Sequence, residues 1–246
     1  MKENKDFGLS SFWLKIIAIL CMTLDHAVLI FAKNFDPFTV TFLRSIGRFT
    51  FPIMAFLLTE GYVYTKSRFN YVNRLLIFAI ISVIPFYMME STPWNVLFTL
   101  CIGLVMLIAK DETAARLDQV DERIWTGLFL LIAGAVSWLV RSADWGFAGV
   151  LAIYAAGQVK DKKLRAITIP LIIFAGFAFK ILIARPFDLN DVIYCQGILL
   201  SAVPILLYNG ELGYRSERLT KYAFYIYYPA HIFVLCMIYY ITGNGA

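Results

Sequence analysis

Charge, histidine and long polar stretches are what this chain has least of. Only 16% of its 246 residues are Asp, Glu, Lys or Arg, against 60% hydrophobic, and the mean hydropathy is +0.71. Soluble domains carry about 25% charged residues, so the composition excludes an ordinary soluble domain and leaves an integral membrane protein. The longest polar stretch, Lys110 to Arg123, is too short for a second domain, and one membrane domain over residues 1–246 is expected. Cysteine is confined to Cys21, Cys101, Cys195 and Cys236, all in apolar runs, a spacing that fits neither a CxxC metal site nor a disulfide framework. Gly-rich phosphate loops, a Walker sequence, a GxSxG elbow and an HExxH pattern are all missing. The net charge of +5 follows from loop cations and does not mark a nucleic-acid binder.

What is present is a series of apolar runs, at 12–32, 39–64, 71–89, 94–109, 124–140, 145–159, 166–184, 192–209 and 221–242. They predict an all-α polytopic membrane protein with about nine transmembrane helices, eight to ten in all. A perpendicular crossing takes about 20 residues, so 94–109 and 145–159 are short, and Pro52 is expected to kink the long second run. With the N-terminus inside, the inner side holds fifteen of the 22 Lys and Arg residues, among them Lys66, Arg68, Arg74, Lys110, Lys160, Lys162, Lys163 and Arg165. The loop at 88–93 has none. The positive-inside rule then puts the N-terminus in the cytoplasm, in a cell (inner) membrane. Asp25–His26 within the first run argues for a retained helix over a cleaved signal.

The chain's only two histidines, His26 and His231, both lie midway along apolar runs. An Asp at the bilayer centre costs roughly 2.5–3.5 kcal/mol on translocon scales, so Asp25 beside His26 calls for a reason. Adjacent residues on a helix diverge by about 100°, which rules out Asp25 as a triad partner of His26 along the helix. Asp25 is expected to pair with a cation on a neighbouring helix, and Arg44 and Arg48, one turn apart, are at hand. Lys15 shares a face with His26 across eleven residues, roughly 16 Å. His231, with Tyr227 one turn before it and Pro229 loosening its helix, falls at a similar depth. Glu60 lies deeper toward the inner side, marking either an interface or a functional carboxylate. A neutral imidazole near arginines suits a general base, with the arginines holding an anionic donor or a developing oxyanion. Gly127, Gly134, Gly149 and Gly157 suit close helix packing. A metal site from two His, one Asp and one Glu is not expected, because Asp25 and His26 diverge.

The segments LKIIAILCMTLDHAVLIF, LRSIGRFTFPIMAFLLTEGYVYT, RLLIFAIISVIPF, NVLFTLCIGL and KYAFYIYYPAHIFVL resemble the TraX family, membrane proteins associated with N-acetylation of conjugative pilin. The resemblance runs through most of the chain and is weakest between about 110 and 190. Asp25–His26, Arg44 with Arg48, Glu60–Gly61 and the segment around His231 fall on the family's recurring motifs. The same features are distantly similar to acyltransferase family 3, where an Arg-x10-His pattern on the first helix carries the catalytic histidine. Here Lys15 stands in the arginine's place, and the arginine pair has three intervening residues instead of two. The resemblance implies an acyltransferase family 3-like bundle and acyl transfer from acetyl-CoA to an amine or hydroxyl of a peptide or glycan acceptor. It implies His26, Asp25, Arg44, Arg48 and His231 as catalytic residues. Lys15, Arg44, Arg48 and Glu60 are implied as donor-binding residues, without a metal.

Two other readings stand beside this one. Asp25, His26, Glu60 and His231 suit a proton-coupled transporter, although neither an inverted repeat nor paired broken helices are visible. The same polar groups also suit a scaffold whose helices they tie together. Membrane lipid is the expected surroundings in every case, and nucleic acid is not an expected partner.

Overall fold

The computed structural model describes residues 8–116, 122–139, 145–186, 188–213 and 217–243. Twelve α-helices follow one another among these residues. They are α1 (Ser11–Ile30), α2 (Pro37–Gly47), α3 (Thr50–Tyr64), α4 (Arg68–Ile81), α5 (Val83–Glu90) and α6 (Val96–Arg116). Then come α7 (Glu122–Leu139), α8 (Gly146–Gln158), α9 (Lys162–Ala184), α10 (Leu189–Leu200), α11 (Ala202–Leu206) and α12 (Glu217–Ile241).

Every apolar run is helical, and three are split in two by proline. Pro52, Pro85 and Pro204 cannot donate to the carbonyls of Arg48, Ile81 and Leu200 four residues earlier. The breaks fall at those points, between α2 and α3, α4 and α5, and α10 and α11. Serine reinforces two of them. Ser82 and Ser201, three residues before Pro85 and Pro204, turn their hydroxyls back onto the carbonyls of Phe78 and Ile198, at 2.6 and 2.5 Å. Where isoleucine stands three residues before proline, at Ile167 and Ile226, α9 and α12 run on through Pro170 and Pro229. The expected loosening at Pro229 is therefore not a break.

Among the described residues, five stretches are long and apolar enough to cross a membrane: Ser11–Ile30, Pro37–Tyr64, Lys162–Ala184, Leu189–Leu206 and Tyr222–Ile241. The pair α4 and α5, bent by 49°, makes a sixth if it counts as one span. This is fewer than the eight to ten crossings predicted. The apolar part of α6 ends at Lys110–Asp111–Glu112, and the 13 residues of α8 reach only about 20 Å against a hydrocarbon core of about 30 Å. The outward faces are apolar, with Leu20, Ile77, Ile80, Phe179 and Ile183 all exposed, as lipid-facing helices require.

The centre of the bundle is α3, which buries Phe51, Ile53, Phe56, Leu58, Thr59 and Glu60 around its whole circumference. It packs against α1, α6, α8, α9 and α11, as a helix apolar on all sides must. Asp36 caps α2 by accepting from the Thr39 amide at 3.0 Å, and Pro37 opens the helix. Glycines then let α2 sit close: a Cβ on Gly47 would overlap Asp25, and one on Gly197 of α10 would overlap the Ser45 carbonyl. Gly149 and Gly157 also meet neighbours closely, at Phe51 and Leu107, whereas Gly127 faces open space and Gly134 has only the Phe147 ring at van der Waals distance. At the other end, Leu9 exchanges backbone hydrogen bonds with Leu207 and Asn209, at 2.7 and 3.0 Å. The start of α1 is thereby fixed to the loop after α11.

Gly197→Ala is expected to push α2 and α10 apart and lower stability by about 1–3 kcal/mol. Gly127→Ala is expected to be neutral or stabilising by under about 1 kcal/mol. Thermal unfolding of the detergent-solubilised protein distinguishes them.

Candidate functional site

Asp25 on α1 faces α2, where Arg44 and Arg48 project one turn apart. Its Oδ1 accepts from Arg44 Nε at 3.1 Å, and its Oδ2 accepts from Arg48 Nη2. Asp25 and Arg48 are buried. The expected pairing of Asp25 with a cation of the next helix is met twice over. The Arg48 guanidinium lies 5.0 Å from the ring centres of both Trp145 and Tyr194, and Arg44 lies 5.8 Å from Tyr194, so aromatic faces replace water around the charge. Trp145 holds its place at a cost. It caps α8 with a φ of 68°, a left-handed conformation worth on the order of 1–3 kcal/mol of strain in a residue with a Cβ. Its ring is stacked on Phe51 at 4.7 Å.

His26 does not bond Asp25. Its Nδ1 lies 2.8 Å from Nε2 of His231, and the two rings are parallel with centres 5.0 Å apart. Their proton arrangement follows from the partners. Nδ1 of His231 is 2.9 Å from the Tyr227 carbonyl, which can only accept, so this nitrogen carries the hydrogen. The Nε2 of a neutral His231 is then bare and accepts from Nδ1–H of His26. Nε2 of His26 is left with its lone pair. It has no hydrogen-bond partner among the described residues and is not sealed from the cavity that His26 lines. Below the pair, the Thr23 hydroxyl donates to the Ile19 carbonyl and lies 2.8 Å from the Tyr227 hydroxyl. Tyr227 therefore donates to Thr23, tying α12 to α1 one turn from His26.

The cavity has a volume of about 490 Å³. Lys15, Asp25, His26, Arg48 and Glu60 line it, and Lys15 and His26 do so from one face of α1, as their spacing predicts. Arg44 and His231 are absent from the lining; they stand behind Asp25 and His26 as their partners. Lys15 Nζ lies 5.3 Å from the Phe224 ring centre. Glu60 is buried and bonded to Arg165 Nη1 at 2.5 Å, with Lys162 at 3.7 Å. Arg165, read from sequence as part of a basic inner surface, is instead buried, and also donates to the Val159 carbonyl at 3.1 and 2.8 Å. Lys160 and Lys163 are exposed as expected. Tyr194 also lines a second cavity, of about 430 Å³, together with Thr41, Lys180, Arg185 and Asp191. Among the described residues no three His, Cys, Asp or Glu side chains converge as a metal site would need.

Sequence reasoning did not find Trp145, Tyr194 or Arg165. Trp145 carries no local signal, and its role depends on packing that brings the start of α8 over Arg48. Tyr194 and Arg165 carry no local signal either.

These features define a class: a membrane helical bundle of several spans with a buried charged cavity, whose histidine presents one free nitrogen. The chain belongs to the TraX family. The family model described as "TraX protein" matches residues 10–239. The chain is also similar, at 32% identity over 96% of its length and 97% of the relative's, to the "Probable fimbrial assembly protein FimC, serogroup H1" of Dichelobacter nodosus. No solved structure matches it. Neither match shows a similarity to acyltransferase family 3.

Asp25→Asn is expected to cost about 3–5 kcal/mol by leaving two arginines without their carboxylate. Adding Arg48→Gln is expected to cost less in that background than in the wild type. Thermal unfolding of the four proteins in one double-mutant cycle measures the coupling.

Proposed function

We propose that this protein transfers an acetyl group from acetyl-CoA to an amine or hydroxyl acceptor within the membrane, with His26 as general base. The reading places it in the cytoplasmic membrane with its N-terminus inside. The acceptor is the amine of a pilin-like peptide or a hydroxyl of a surface glycan; the fimbrial relative and the family's association favour the former. One observation carries the reading: the Tyr227–His231–His26 relay orders the protons so that the lone pair of His26 Nε2 is available at the cavity.

Acetyl-CoA supplies a thioester carbonyl open to attack. His26 Nε2 takes the acceptor's proton as the new C–N or C–O bond forms and the C–S bond breaks. It then returns that proton to the leaving sulfur. Throughout, Nδ1–H of His26 stays bonded to His231, which fixes the ring and disperses the imidazolium charge, the part a carboxylate plays in a serine-protease triad. Arg48 lines the same cavity and stabilises the carbonyl oxygen as it gains charge. Asp25 and Arg44 hold Arg48 in place. Lys15 and Glu60 belong to the donor's path, Glu60 through the cations that it orders. The transporter alternative draws less support, because Asp25 and Glu60 are both committed to ion pairs and only the histidines are left to carry protons.

Purified protein incubated with acetyl-CoA and a pilin-like peptide is expected to produce acetylated peptide, detected by mass. His26→Ala should lower kcat by about 10²–10⁴-fold, the range for a positioned base. An unchanged rate in that variant refutes the mechanism. His231→Gln, whose amide oxygen can still accept from His26 Nδ1–H, should retain more activity than His231→Ala.

A further inference from the structure

Arg74 has no place in the chemistry above, yet its surroundings are those of a binding residue. It is half-buried on α4 and lines the same cavity as His26. Its guanidinium lies 5.4 Å from the ring centre of Tyr71 and is hydrogen-bonded to the Tyr225 hydroxyl. Nε is buried without a hydrogen-bond partner, and no acidic side chain among the described residues pairs with it. The two buried carboxylates of the cavity wall are engaged elsewhere, Asp25 by Arg44 and Arg48, and Glu60 by Arg165 and Lys162. Lys15 enters the cavity from α1 beside Phe224, the neighbour in sequence of Tyr225. Two cations from different helices thus flank consecutive aromatics of α12. Along α1 the separation of Lys15 from His26 is roughly 16 Å.

A half-buried guanidinium with an unmatched donor inside an aromatic-walled cavity is suited to a phosphate, which accepts charge-assisted hydrogen bonds from that planar fork. We infer that Arg74, assisted by Lys15, binds the phosphates of the acyl donor, while the donor's arm runs along the cavity to bring the acyl group to His26. This rests on the acyl-transfer reading of the cavity and adds the donor's anchoring residue to it. The chemistry at stake is phosphate recognition, and the occupant is the soluble donor, because the cation and the basic nitrogen share one continuous cavity. A phospholipid headgroup is the competing source of the same phosphate chemistry.

The test is CoA binding to the full-length solubilised protein by calorimetry. Arg74→Gln should weaken CoA binding by about tenfold, as one lost charge-assisted contact predicts. Arg74→Lys should fall between the two. Arg68→Gln, which removes a cation paired with Asp111, should change affinity by less than about twofold. In kinetics with acetyl-CoA, Arg74→Gln should raise KM and spare kcat, and it should leave KM for phosphate-free S-acetylpantetheine unchanged. Equal CoA affinity in wild type and Arg74→Gln overturns the inference, as does equal weakening toward both thioesters. So does CoA binding that persists in phosphatidylcholine nanodiscs and vanishes in phosphatidylglycerol ones, which assigns the site to a lipid. Arg74-dependent CoA binding without acetyl transfer would sustain the phosphate site while defeating the role of His26.

Discussion

The interaction on which the rest depends is the sharing of one carboxylate, Asp25, between Arg44 and Arg48. None of the three is tolerable alone among apolar helices, so α1 and α2 hold one arrangement or lose it together. Gly47 and Gly197 allow the approach, and Trp145 and Tyr194 cover the charge. The strain at Trp145 makes sense in this setting, since its ring is required over Arg48 whatever the backbone must do. A buried ion pair adds little net stability compared with apolar packing. What it does here is fix the depth and direction of a cation beside the cavity.

The histidine pair solves a different problem. A lone imidazole in an apolar bundle has two tautomers and no fixed role. The Tyr227 carbonyl removes that freedom from His231, and His231 removes it from His26. Orientation is thereby passed from a main-chain carbonyl, a group that neither titrates nor moves, through two rings to a nitrogen at the cavity. Asp25, although adjacent in sequence to His26, stays out of this chain and serves the arginines.

Much of this was legible before any coordinates, because an α-helix rises by a fixed amount per residue. Counting from the helix ends places His26, Arg48 and His231 at one depth, and the contacts bear that out. The divergence of neighbouring side chains likewise separates the tasks of Asp25 and His26. The count of about nine crossings is not confirmed, with five or six candidates among the described residues, since apolar runs show where helices form without showing which of them span. Pro52 announced its break, and the Ser-x-x-Pro segments at Ser82 and Ser201 announced theirs to anyone weighing serine with proline. Arg74 and Arg165 looked alike as loop-side cations. One is matched by Glu60 across 105 positions of sequence, and the other meets no carboxylate among the described residues. Only packing decides that.

Tyr194 has Arg48 over its ring while it also lines the second cavity, at the end of α9 remote from Glu60 and Arg165. One contact, the Arg48 guanidinium on the Tyr194 ring, therefore joins the linings of the two cavities. Where conducting water reaches deep from both sides, a transmembrane voltage falls mainly across the thin partition that remains. Moving one elementary charge through such a field is worth about 2.3 kcal/mol per 100 mV. In such an arrangement Arg48, the charge that lines the first cavity and sits on Tyr194, would feel the largest share of the voltage.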